Sequence, residues 1–428
     1  MITGRDILYI SSIEWDFLWQ AHQEIVRRLA AAGNRVLYIE NTGVRSPGLK
    51  DTKRIASRLS RWLQSLHSGG VRQVAENICV YSPLVLPPFG PTWQRLLNRH
   101  VFLRQLRGIV RTLGMKDCLI WTYLPTDTAV DIIRAHRNDR SLVIYYSVAD
   151  FSYLTPNVKQ LEKSEKELIV LSDLVFATCS ELATRLSHNG SSSHLFPPGV
   201  DISAFPEATT SEPNAQPDPL GLSKLPRPII GYVGGLHRFV DYDLVAALAK
   251  SRPSWSWVFL GAHQVSLERL HGLPNIHLLG QQRHDELAKH MAYFDVCLVP
   301  YINSPEISTV VPTKINEYLA AGKPVVATNL PTVSEFNAKH QVLTIAEPTA
   351  RDFLQAIESQ LSRAHDPQSI STRRRVAMLS DWQLRLEQMS ELIEQKLSPL
   401  PAGPVIEGTL KSNRNLQHDS SRPRTLNG

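Results

Sequence analysis

The chain has 428 residues, 43% of them hydrophobic, a mean hydropathy of −0.17 and a formal net charge of +6. That length suits two or three domains, each with its own core, and no apolar run approaches the ~20 residues of a membrane span. The four cysteines (Cys79, Cys118, Cys179 and Cys297) are scattered and form no CxxC pair, which sets aside a disulfide framework and a zinc ribbon and points to a reducing compartment. The opening MITGRDILYISSIEWD returns to charge too soon for a cleaved leader, so a cytoplasmic protein is expected.

Residues 5–12 (RDILYISS) read as a first strand. A helix over 20–32 turns Ile25, Val26 and Leu29 inward, Gly33 ends it, and Arg35–Glu40 (RVLYIE) is the next strand. This β-α-β opening is Rossmann-like. The loop at 11–16 lies at the carboxyl end of the strand, where such sheets bind ligands. Trp15 and Asp16 are its candidates for acceptor contact, against the plainer reading of helix capping. No glycine-rich fingerprint marks it as a dinucleotide loop.

Positive charge is concentrated next. Residues 45–111 hold twelve Lys/Arg against Asp51 and Glu76, so the remainder of the chain is net negative. A helix over 53–66 would place Ile55, Leu59, Trp62, Leu63 and Leu66 on one face and Arg54, Arg58 and Arg61 beside it. Residues 92–113 repeat the style with Trp93, Leu96, Leu97, Val101, Leu103 and five arginines. Such helices suit an anionic membrane surface, which would make the protein peripheral on the inner face of the cytoplasmic membrane. The competing reading is a pair of core-packing helices with solvated arginines. No nucleic-acid reading motif accompanies the charge, so nucleic acid is not an expected partner.

Strands at 118–122, 142–147 and 174–178 alternate with helices at 126–137, 157–170 and 180–188. Asp150 follows a strand at its carboxyl end and is a further acceptor candidate, with loop capping as the alternative. Pro206–Pro228 reads as a linker. The alternation then restarts with strands at 229–233, 257–260, 276–279, 296–300, 324–327 and 342–345. The expected fold is therefore α/β, two doubly wound domains over 1–205 and 229–380. An amphipathic helix over 381–397 follows, and a tail at 398–428 with a disorder-type composition.

Two stretches of the second half carry chemistry. Gly234-Gly235 after the strand lets backbone approach a ligand, and Arg238 follows on the same turn. In Val311–Thr328 (VPTKINEYLAAGKPVVAT), Pro312 suits the first helical position. Ile315, Tyr318 and Leu319 form an apolar stripe, and Lys314 and Glu317 share a polar face. Gly322 stops the helix before a buried strand. Both stretches end at strand carboxyl termini and can face one cleft, where Arg238 and Lys314 would meet a diphosphate and Glu317 a ribose hydroxyl. An exposed Lys314–Glu317 ion pair is the plainer alternative. Asp241-Tyr-Asp243 resembles a metal-binding DxD but opens a helix, so capping is expected and no metal site is assigned.

Three segments together resemble the donor domain of GT-B glycosyltransferases, in particular the large retaining family that includes bacterial polysaccharide and teichuronic-acid-type transferases. They are GYVGGLHRFVDYDLVAALAKSRPSWSWVFLG, NIHLLGQQRHDELAKHMAYFDVCLVPY and VPTKINEYLAAGKPVVAT, within roughly 229–335. ATCSELATRL and PPGVDISAF echo the same family in the first half. The resemblance implies a GT-B fold with two Rossmann-like domains facing across a cleft. It implies a hexosyl-type transfer from a nucleotide-diphosphate sugar, the donor being substrate and no cofactor or metal being needed. The acceptor would be a saccharide or lipid-linked, in polysaccharide, exopolysaccharide or cell-envelope biosynthesis. By resemblance, Arg238 and Lys314 would be catalytic, neutralising the diphosphate, while Gly234, Gly235, Thr309, Lys314 and Glu317 would bind donor. The family's common pattern has a second glutamate eight positions before Glu317. Thr309 stands there, and the nearest acid, Glu306, is out of register. That departure is the main support for another reading, a catalytically degenerate scaffold subunit; a two-domain ligand-binding protein is a separate alternative that would require export.

Overall fold

The computed structural model describes residues 1–40, 42–43, 70–83, 85–86, 88–188, 192–205 and 218–397. The expected helix over 53–66 with Arg54, Arg58 and Arg61, most of the 206–228 linker and the 398–428 tail lie outside the described residues. The first half builds one sheet from β1 (Asp6–Ile10), β2 (Arg35–Ile39), β3 (Val71–Ala75), β4 (Ile78–Tyr81), β5 (Leu119–Thr122), β6 (Leu142–Ser147), β7 (Leu174–Ala177) and β8 (Ser193–Leu195). Its order is β3-β4-β2-β1-β5-β6-β7-β8, parallel throughout except for the β3–β4 pair. β5, β6 and β7 are buried along their whole length, because helices cover both faces of a parallel sheet. Alternate residues of β1 feed two cores, Leu8 and Ile10 one, Ile7 and Tyr9 the other. The second core is closed by helix Ala21–Ala31, through Ile25, Val26 and Leu29. The chain's last described helix, Trp382–Leu397, joins it through Trp382, Leu386, Met389 and Ile393.

The second half builds β9 (Ile229–Val233), β10 (Ser256–Leu260), β11 (Ile276–Leu278), β12 (Val296–Val299), β13 (Val325–Thr328) and β14 (Thr344–Ala346) into an all-parallel sheet. Its order, β11-β10-β9-β12-β13-β14, reverses direction between β9 and β12. Open α/β sheets bind ligands at such a switch point, outside the carboxyl ends of the strands. The two halves are tied by backbone and side-chain bonds. Val200 pairs with Asp381, Asn316 donates to the Pro198 carbonyl at 3.0 Å, and Arg374 donates to the Phe205 carbonyl at 2.8 Å.

Several local details differ from expectation. The β3–β4 hairpin was not anticipated; Asn77, at φ 62°, makes its turn. The helix expected over 92–113 is two, Thr92–His100 and Phe102–Thr112, broken at Val101. The break lets Phe102, Leu103, Leu106 and Ile109 reach the core while Trp93, Leu96 and Leu97 stay exposed. The helix after Pro312 begins at Lys314 and is seven residues long, with Ile315, Tyr318 and Leu319 buried. Asp241 caps the helix Tyr242–Ser251, its carboxylate accepting from the Leu244 N–H at 2.9 Å.

Candidate functional site

A cavity of about 890 Å³ opens at the switch point of the second sheet. Gly234, Gly235, His237, Tyr301, Lys314 and Glu317 line it from the second half, and Phe17, Leu18, Trp19 and Gln20 line it from the β1 loop of the first. Its floor depends on how β9 ends. β12 pairs with β9 only at Ile230 and Gly231, which leaves the Val233 backbone free on that side. The Tyr318 hydroxyl takes its place, accepting from the Val233 N–H at 2.8 Å. One phenol therefore bolts helix Lys314–Ala320 to the strand end and sets Lys314 beneath the glycines.

At Gly234 the backbone has φ 128°, and a Cβ there would stand 3.0 Å from the Lys314 ammonium. Only glycine lets the strand end lie so close to the lysine. Lys314 is buried, and its Nζ donates to the Tyr232 hydroxyl at 2.8 Å and to the Tyr301 hydroxyl at 2.6 Å. Burial pushes the Tyr232 phenol well above its ordinary range, reinforced by the neighbouring Tyr301 and Tyr318. The phenol therefore stays neutral and solvates the ammonium without cancelling its charge. Among the described residues Lys314 has no ion-pair partner, so the simple Lys314–Glu317 salt bridge is not what the structure shows. Glu317 faces the cavity one turn on. Burial raises its carboxyl above the ordinary value, while His284 and Lys314 pull it back down. A ligand hydroxyl donating to that carboxylate would relieve the burial cost.

The remaining expected residues sit elsewhere. Arg238 is largely exposed, pairs with Glu306 and lies outside the cavity lining. Thr309 is buried at the junction of the two halves, where its hydroxyl accepts from the Asp150 N–H at 3.2 Å. The Asp150 carboxylate itself caps a short turn, accepting from the Ser152 N–H at 2.9 Å. The Trp15 backbone N–H donates to the Glu40 carboxylate at 2.9 Å, and Asp16 pairs with Arg72 at 2.6 Å. Their loop reaches the cavity one residue later, from Phe17 onward. Trp19 stacks on His284 across the cleft, with ring centroids 6.1 Å apart.

Sequence reasoning missed Tyr232, Tyr301, Tyr318 and His237. A signal was present: tyrosines 232 and 301 stand at the carboxyl ends of strands that a switch point makes neighbours, and a buried lysine requires acceptors. Finding it demanded the strand order.

Two parallel α/β halves with the cavity at a switch point and a returning C-terminal helix define the GT-B fold. Residues 227–363 are similar to the family described as Glycosyl transferases group 1. A protein of Bacillus subtilis (strain 168) named as a teichuronic acid biosynthesis glycosyltransferase, TuaH, is 28% identical over 241 residues, 54% of this chain and 59% of that protein. The chain thus spans about three fifths of the relative it matches. Among solved structures, sucrose-phosphate synthase from Thermosynechococcus elongatus matches with a TM-score of 0.65 at 20% identity, covering 92% of this chain and 99% of that one. Anabaena HepE in complex with UDP matches with a TM-score of 0.63 at 16% identity, covering 92% and 100%. Both similarities speak for the fold. Among the described residues, no helix is long and apolar enough to cross a membrane.

Proposed function

We propose that the chain transfers a sugar from a nucleotide-diphosphate donor to a saccharide or lipid-linked acceptor, with retention and without a bound metal, in polysaccharide or cell-envelope biosynthesis. The observation that carries this is the Lys314 side chain, buried and held by two phenols at the cavity floor beside Gly234. A preorganised cation in a water-poor site is worth most where charge develops during the reaction. As the anomeric C–O bond breaks, its electron pair leaves on the diphosphate, and Lys314 would stabilise that charge in the transition state more than in the ground state. Arg238 would join it by leaving Glu306. Glu317 would accept from the ribose. The sugar passes through an oxocarbenium-like state while the acceptor oxygen bonds to the anomeric carbon and its proton passes to the departing diphosphate oxygen. The UDP bound by HepE and the name of the Bacillus relative support the same class of donor and pathway.

The test is hydrolysis and transfer with a panel of UDP-, GDP- and ADP-sugars, comparing wild type with Lys314→Ala and Glu317→Ala. Both variants are expected to lose turnover. Unchanged activity in both would sink the assignment, and tight donor binding without turnover in wild type would favour the scaffold reading.

The acceptor side of the proposal is a membrane surface. Helix Thr92–His100 leaves Trp93 59% and Leu96 47% exposed, with Leu97 and Val101 beside them. Arg104, Arg107 and Arg111 on the next helix are exposed and have no ion pair among the described residues. An apolar ridge flanked by free arginines matches an anionic bilayer. Flotation with phosphatidylglycerol-containing liposomes is expected to weaken in both Trp93→Ala and Arg104→Gln/Arg107→Gln. Flotation equal to wild type in both would remove the membrane from the proposal.

A further inference from the structure

The two tyrosines that hold Lys314 differ in where their own protons go. The Tyr232 hydroxyl accepts from Lys314 and donates to the Gly235 carbonyl at 3.0 Å, so its hydrogen is spent inside the protein. Tyr301 has another neighbour, His237, whose Nε2 lies 3.3 Å from the hydroxyl. The Phe239 N–H donates to His237 Nδ1 at 3.2 Å, so Nδ1 carries a lone pair. Burial, with Lys314 and Arg238 adding to it, drops His237 to about 4, so the ring is neutral at pH 7. A neutral ring with Nδ1 accepting has its one proton on Nε2, and that proton points at Tyr301.

The Tyr301 oxygen thus accepts twice, from Lys314 at 2.6 Å and from His237. A phenol oxygen has no room for a third strong donor, so its own hydrogen must be directed elsewhere. Its nearest further polar neighbour, the Tyr232 hydroxyl, already accepts from Lys314 and donates to the Gly235 carbonyl, whereas the Tyr301 side chain lines the cavity. The backbone around it is fixed as well. Residue 301 bridges Val240, and the Ile302 N–H donates to the Phe239 carbonyl at 2.9 Å.

We infer that Tyr301 donates its hydroxyl hydrogen to a diphosphate oxygen of the donor, beside the Lys314 ammonium. It is then a catalytic residue in its own right, and His237 is a positioning residue that forces the proton outward. The inference rests on the reading of Lys314 as the diphosphate's cation. The two donors divide the work. Lysine supplies charge, and the phenol supplies a directed bond to an oxygen whose charge rises as the sugar departs.

The experiment compares Tyr301→Phe, Tyr232→Phe and Lys314→Ala, first with UDP-glucose and then with whichever panel donor the wild type turns over fastest. Each phenylalanine variant removes one acceptor from Lys314; Tyr301→Phe alone also removes the donor to the ligand. Tyr301→Phe is expected to lower kcat by about 10- to 100-fold with donor KM changed less than about threefold, and Tyr232→Phe to lower kcat only a few-fold. Equal losses in the two phenylalanine variants would reduce Tyr301 to a holder of Lys314 and overturn the inference. Tyr301→Phe with kcat within twofold of wild type, beside an inactive Lys314→Ala, would overturn the inference and leave the transferase reading standing. A fully active Lys314→Ala would overturn both. Should Tyr301→Phe lose its cooperative melting transition, a fluorinated tyrosine at 301 keeps every bond and makes the phenol more acidic. The stronger hydrogen-bond donor is then expected to raise kcat, and a kcat unchanged from or below wild type counts against the inference.

Discussion

The two walls of the cavity are built by different rules. The wall from the second half is a packed assembly. Tyr318 fixes the helix to β9, two phenols fix the lysine, and Gly234 removes the atom that would keep them apart. The wall from the first half is a loop, Phe17 to Gln20, in which Phe17 is 42% and Trp19 39% exposed. Trp19 leans across onto His284 and gives its indole N–H to Glu24 at 3.2 Å. A diphosphate has the same charge and shape in every nucleotide-sugar, which favours a rigid, preorganised site. An acceptor must enter, be covered and leave, which favours a loop that can shift. On the proposed transferase function, the contrast would give charge stabilisation to one wall and closure to the other.

Removing the centre of the rigid wall should cost most. Lys314→Ala is expected to lower kcat by about 10²- to 10³-fold, the range seen when a preorganised oxyanion donor is deleted; a loss smaller than about tenfold would mean the wall is not organised around it. Next comes the backbone contact beneath the glycines. A Cβ at Gly261 would lie 1.8 Å from the Gly234 carbonyl oxygen, a backbone atom that cannot rotate away. Gly261→Ala is expected to destabilise the protein by about 1–3 kcal/mol and to raise the donor KM. Urea unfolding alongside donor kinetics checks it, and an unshifted midpoint would show that the two strand ends slide freely. On the loop wall, Trp19→Ala removes one aromatic stack. The expected result is a roughly threefold to tenfold fall in transfer, with donor hydrolysis unchanged. Equal losses in transfer and hydrolysis would place Trp19 in the donor site and erase the distinction between the walls.

Legibility in the sequence followed the same divide. The central strands of both sheets show as continuous apolar runs, since both of their faces are covered, and the Ile315, Tyr318 and Leu319 stripe shows because a helical period needs no knowledge of partners. Lys314 and Glu317 were visible for the same local reason, and both line the cavity. What lay hidden were groups brought together by strand order. Tyr301 and Tyr232 are 69 positions apart in numbering and meet only because β12 lies beside β9. The break at Val101 was hidden for a different reason. Residues 92–113 keep a helical pattern throughout, and only packing decides that Phe102 goes inward while Trp93 remains in solvent.

Arg238 offers the finest test of the two-wall picture, because sequence placed it beside Lys314 and structure sets it at the rim. Its side chain is 60% exposed, pairs with Glu306 and lies 4.7 Å from the Phe239 ring centroid. An exposed pair of this kind is screened by water and contributes little to stability, so Arg238 can leave Glu306 at small cost. On the proposed function, donor binding would offer it a diphosphate in exchange for a carboxylate, a near-even trade of partners. Arg238→Ala is therefore expected to raise donor KM by about threefold and leave kcat within about threefold, far short of the Lys314→Ala loss. Glu306→Gln frees the arginine in advance and is expected to lower donor KM by about twofold, most clearly at low ionic strength. Should Arg238→Ala match Lys314→Ala in kcat, the guanidinium reaches the leaving group during the reaction, and the rim belongs to the rigid wall after all.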